Sequence, residues 1–151
     1  MKFITLALVL MMSFPLAAIA QENGLIRLKS AHSVASTVER LETALKSKGM
    51  TVFARIDHAA GARKAGIHLR PTILLIFGNP RVGSPLMVCA QSVALDLPQK
   101  MLVSQDEFGM VWLMYNDPQY LVARHQIEGC EDVIQKIELA LASFAKIATQ
   151  P

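Results

Sequence analysis

His58 has the widest chemical range of any side chain in this sequence. It follows Asp57 where an alternating strand gives way to a run of small residues. An imidazole beside a carboxylate there could serve as a general base, a metal ligand or an anion-binding donor. Its plainer role is to cap the turn through its ring nitrogens, and Asp57 divides in the same way between an N-cap and a catalytic carboxylate. Arg55, Arg70 and Arg81 could converge on an anionic ligand, because guanidinium forks match carboxylates and phosphates. Asn79, in Gly78-Asn79-Pro80, either closes an Asx-type turn or faces a cleft. The expected binding set is therefore His58, Arg70, Asn79 and Arg55, around a small anionic ligand. The alternatives are a hydrolase using His58 and Asp57 as its acid/base pair, or a metal site built from His58, His68 and His125.

The motifs of better-known chemistry are missing. Ser84 lies in Gly83-Ser84-Pro85, which is not a nucleophile elbow. The sequence has no phosphate-cradling glycine loop and no His-Glu-x-x-His. The histidine spacings match no metal-ligand motif. Arg124-His125 ends a short helix, where positive charge suits the helix dipole without further function. The sequence names no cofactor and assigns no catalytic residue.

The binding residues have to be held by a strand. Thr72 to Phe77 is apolar on both faces and reads as a central strand covered on each side. His58 and Arg70 stand before it, and Asn79 after it. Pro71 holds Arg70 extended. Upstream, Gly24–Ser30 reads as an edge strand. Ser33 caps a helix whose stripe is Val34, Val38, Leu41 and Leu45, with Gly49 as its stop. Met50–Ile56 reads as a strand with Val52, Ala54 and Ile56 on one face. After Asn79-Pro80, Arg81–Gly83 reads as a loop, and Ser84-Pro85 as the cap of a short helix to Gln91. Lys100–Gln105 and Met110–Asn116 form a hairpin. Asp117-Pro118 opens a short helix, and a terminal helix follows with the stripe Ile134, Ile137, Leu141, Phe144 and Ala148. The sum is an α+β fold: a mostly antiparallel sheet of about five strands, two longer helices on one face and short helices in the connections. Strands dry on both faces, with few helices to cover them, point to a homodimer.

Lys2, an apolar run over 4–12 broken only by Thr5, and Ala18-Ile19-Ala20 form a secretory signal with cleavage before Gln21. Residues 1–20 are thus expected to be removed, leaving 21–151 as one domain in the periplasm or outside the cell, without stable membrane insertion. The formal charge of the whole chain is +3, and no Lys/Arg stripe forms, which argues against nucleic acid as a partner. Cys89 and Cys130 are the two cysteines. In an oxidising compartment a pair like this forms a disulfide more readily than a catalytic site, and two buried thiols are the alternative.

A set of ordered blocks carries a family likeness. They are Thr37–Leu41, Phe53–His58, Arg70-Pro71-Thr72 leading into Phe77–Pro80, Pro85-Leu86-Met87, Ala94–Pro98 and Tyr115–Pro118. Over about residues 30 to 128 the chain resembles the bacterial domain-of-unknown-function 302 family. The resemblance implies a small, often dimeric α+β domain and implies no activity. Neither cysteine lies in these blocks.

Overall fold

The computed structural model describes residues 24–151, so the signal segment expected at 1–20 lies outside the described residues. The chain runs β1 (Leu25–Lys29), α1 (Val34–Ser47), β2 (Thr51–Asp57), α2 (His58–Lys64), β3 (Thr72–Gly78) and α3 (Pro80–Cys89). A 3-10 turn (Gln91–Leu95) then leads to β4 (Gln99–Gln105), β5 (Val111–Asn116), α4 (Pro118–His125) and α5 (Glu131–Thr149). The five strands form one antiparallel sheet in the order β1-β5-β4-β3-β2. The α+β class, the five antiparallel strands and the two longer helices over one face are therefore as the sequence pattern predicts.

Periodicity explains why α1 and α5 share that face. In α1 the stripe Val34, Val38, Leu41 and Leu45 is buried, and Ser33 caps the helix by accepting from the Ser36 N–H. In α5 the stripe Ile134, Ile137, Leu141, Phe144 and Ala148 is buried likewise. Both helices meet strand residues of one parity, including Leu75, Phe77, Met101, Val103 and Leu113, all fully buried. Each large apolar side chain so buried contributes about 1.5–3 kcal/mol.

Four expectations need correction. First, β3 is an interior strand, but the centre of the sheet is β4. Second, β3 is not covered equally on both faces: Ile73, Leu75 and Phe77 are buried, whereas Leu74 and Ile76 are only half-buried. An apolar run reports which residues tolerate burial, and the number of helices available sets how much burial they receive. Third, β2 does not alternate cleanly. Its register against β3 shifts between Val52 and Ala54, so Val52 opposes Phe77 while Ala54 opposes Ile76. The extra residue, Phe53, moves Val52 onto the same face as Arg55 and Asp57. Fourth, α3 begins at Pro80, capped by Asn79, and Pro85 lies inside the helix. The Asn-Pro pair supplies the same cap-and-proline signal as Ser84-Pro85, one turn earlier.

Candidate functional site

The bulge in β2 and the early start of α3 together open a cleft of about 310 Å³ at the end of β3. Its floor is Phe77 from the sheet, and Phe144 and Ile137 of α5 form one wall. The Phe77 and Phe144 rings meet edge to face, with centroids 6.3 Å apart. Phe53, the bulged residue, forms the opposite rim and is half-exposed. Gly78 lets that ring approach, since a Cβ there would stand 3.2 Å from it. The backbone over Leu97-Pro98 closes a further side, pinned by Lys100, whose Nζ donates to the carbonyls of Asp96 (2.7 Å) and Pro98 (2.9 Å).

Few polar groups enter this cleft. Asn79 borders it, with Oδ1 accepting from the Arg81 N–H at 2.9 Å and Nδ2 donating to the Gly49 carbonyl at 3.0 Å. It therefore closes the Asx-type turn and faces the cleft at once. Gln99 also lines the cleft, and its buried Nε2 has no hydrogen-bond partner. A buried amide N–H left unpaired costs about 1–3 kcal/mol.

Of the expected binding set, Asn79 borders this cleft and His58, Arg70 and Arg55 do not. His58 and Arg70 lie near the Thr72 end of β3 and Asn79 follows Gly78. A strand of seven residues separates them by about 20 Å at roughly 3.4 Å per residue. His58 is an exposed first residue of α2, and the Asp57 carboxylate is taken by the Ala60 N–H at 2.8 Å. Arg70 is exposed and donates from Nε to the Gln105 carbonyl at 3.1 Å. Arg55 pairs with Glu42 of α1 at 3.5 Å. Among the described residues, no three His, Cys, Asp or Glu side chains are placed to hold a metal ion. Cys89, ending α3, and Cys130, before α5, stand at disulfide distance with Cα atoms 6.4 Å apart.

A second cluster was invisible in the sequence. His125, the last residue of α4, has a side chain only 5% exposed. Its Nε2 is 2.5 Å from Asp96 Oδ2, and its Nδ1 is 3.1 Å from Ser92 Oγ. Arg124 Nε is 3.3 Å from the same Asp96 oxygen. Ser92 lies in the 3-10 segment and Asp96 is its C-cap, and the two are brought together by their shared contact with His125. His125 meets them from far along the chain, and no local motif announces that meeting.

Comparison with known proteins bears on the chain as a whole. It is 48% identical over 122 residues to a fluoride-specific ion channel FluC 1 of Brucella suis biovar 1 (strain 1330), covering 81% of this chain and 48% of that protein. It is equally similar to a FluC 2 of Brucella melitensis biotype 1, covering 45% of that protein. The chain thus spans about half the length of the curated relatives it matches. A crystal structure of an uncharacterized conserved protein DUF302 from Bacillus stearothermophilus superposes with a TM-score of 0.76 at 22% identity, covering 83% of this chain and 98% of that one. That likeness is one of fold. The model of the family described as domain of unknown function DUF302 matches residues 26–144, and with the sheet order and helix placement above, the chain belongs to that family.

Proposed function

We propose that this chain is an exported binding or sensing module whose ligand is a small, largely apolar molecule held in the cleft between β3, α3 and α5. One observation carries the reading: an apolar cleft of about 310 Å³ has a buried, unpartnered amide on Gln99 in its wall. That size is at the small end of ligand pockets, which run from about 300 to 1,000 Å³. Burial in the cleft supplies the affinity, and one acceptor atom on the ligand satisfies Gln99. The anionic ligand expected around His58, Arg70 and Arg55 gives way to this one, since those groups are exposed and apart from the cleft. Titration with the neutral fluorophore N-phenyl-1-naphthylamine tests the site. Saturable fluorescence enhancement, displaced by octanol and lost when the cleft-lining Ala140 of α5 is enlarged in Ala140→Phe, is expected. Unsaturable binding, or unchanged binding in that variant, removes the proposal.

The Brucella relatives favour a second reading, a module acting beside a membrane ion channel. No helix among the described residues is long and apolar enough to cross a membrane. A strain lacking this chain should then be more sensitive to added fluoride, and an unchanged growth limit would remove the link.

We also infer a homodimer through the second face of the sheet, where Ile56, Leu74, Ile76 and Leu102 remain partly exposed. Sedimentation of wild type as a dimer and of Leu74→Lys as a monomer supports this, and a wild-type monomer at tens of micromolar counts against it.

A further inference from the structure

We propose that Ser92, His125 and Asp96 form an acyl-transfer site that attacks small carboxylic esters, an activity beyond ligand binding in the cleft. With the Nε2 proton donated to Asp96 at 2.5 Å, the uncharged imidazole has its lone pair on Nδ1, and Ser92 Oγ lies 3.1 Å from that atom. The serine hydroxyl therefore donates to Nδ1. A nucleophile bonded to a base, with the base oriented by a third group, is the arrangement that activates a hydroxyl.

The surroundings fit that role. Ser92 is exposed and open to substrate, whereas the imidazole is almost wholly enclosed and held on both nitrogens. His125 is also the last residue of α4, so the helix dipole favours the positive charge the ring acquires on taking the proton. The Asp96 carboxylate acts in the same sense. Arg124 opposes it, but its side chain is 44% exposed and its charge is screened by water. The ring nitrogens are used in the reverse of the order in the chymotrypsin-type triad. What matters for proton transfer is that one nitrogen faces the hydroxyl and the other the carboxylate.

In the reaction, Ser92 Oγ bonds to the ester carbonyl carbon as its proton passes to His125 Nδ1. The carbon–alkoxy bond then breaks, and the leaving alkoxide takes that proton as an alcohol. Water next attacks the acyl-serine, its proton passes to Nδ1, and Ser92 recovers it as the carboxylic acid leaves. No oxidant, reductant or metal is required.

The test is labelling of the full chain with a small alkyl fluorophosphonate, read by intact mass and peptide mapping, beside 4-nitrophenyl acetate hydrolysis. One adduct at Ser92 is expected, absent in Ser92→Ala and formed about 100-fold more slowly in His125→Gln, the usual loss on removing a general base. Asp96→Asn should slow it as well. A folded wild type that takes no adduct at Ser92, or takes it at the same rate in His125→Gln, overturns the proposal. Because the histidine variant could lose structure, the wild-type labelling rate is also followed against pH. A rate that rises and reaches a plateau supports a single titrating base, whereas one first-order in hydroxide throughout overturns it.

Discussion

Asn79 and Gly49 are joined across 30 residues of chain by a 3.0 Å hydrogen bond from the asparagine Nδ2 to the glycine carbonyl. The other side of the same amide caps α3. One side chain thus ties the turn before β2 to the helix that borders the cleft. Asn79→Ala should lower stability by about 1–2 kcal/mol, the usual cost of a lost cap. Asn79→Asp keeps the capping oxygen and loses the donor, so its urea midpoint should fall between the two. Equal midpoints for the alanine variant and wild type would show that the bridge contributes nothing.

The pairing of Cys89 with Cys130 closes a loop with a sequence separation of 41. Such a cross-link stabilises by about 4 kcal/mol in the chain-entropy account. The double variant Cys89→Ser/Cys130→Ser should lose most of that in urea unfolding, and dithiothreitol should destabilise wild type but not the variant. The export inferred above adds a further expectation. Protein released by osmotic shock should begin at Gln21 and carry no free thiol, and recovery with cytoplasmic markers as a dithiol would contradict it.

Tyr115 supplies a pH dependence. Burial, with a smaller effect from the nearby Asp117 carboxylate, raises its phenol from 10.0 to about 12. In the unfolded chain the phenol ionises near 10, while in the fold it stays protonated for longer. Its contribution is therefore whole below pH 10 and is lost as pH rises from 10 towards 12. The shift corresponds to about 2–3 kcal/mol at most, at about 1.4 kcal/mol per unit. Tyr115→Phe should flatten the alkaline decline in denaturation midpoint over that interval. A decline as steep as in wild type would assign it to other groups.

Much of the fold was legible because its helices are simply periodic. The stripes in α1 and α5 predicted which side chains would be buried, and Asp57, Asp117-Pro118 and Ser33 announced their helix starts through local chemistry. Two signals of one kind lie close together at Asn79-Pro80 and Ser84-Pro85, and nothing local distinguishes them; the helix starts at the earlier one. The bulge at Phe53 was not legible either. A register shift depends on what the neighbouring strand offers, and that neighbour lies about twenty residues further along the chain.

The candidate sites divide along the same line. Sequence by itself determined the element types, the buried stripes, the two cysteines available for pairing and Asn79 as a residue that closes a turn or meets a cleft. Tertiary structure alone decided that β2 runs antiparallel to β3 with Asp57 opposite Ile73, which leaves His58 at the end of β3 away from Asn79. It also decided that Phe53 and Phe144 line one cleft, and that His125 meets Asp96 from 29 positions away. Hydrogen bonds within a turn and the period of a helix act over a few residues and are written locally. Contacts between side chains from separate elements depend on sheet order and register, which arise only when the whole core packs.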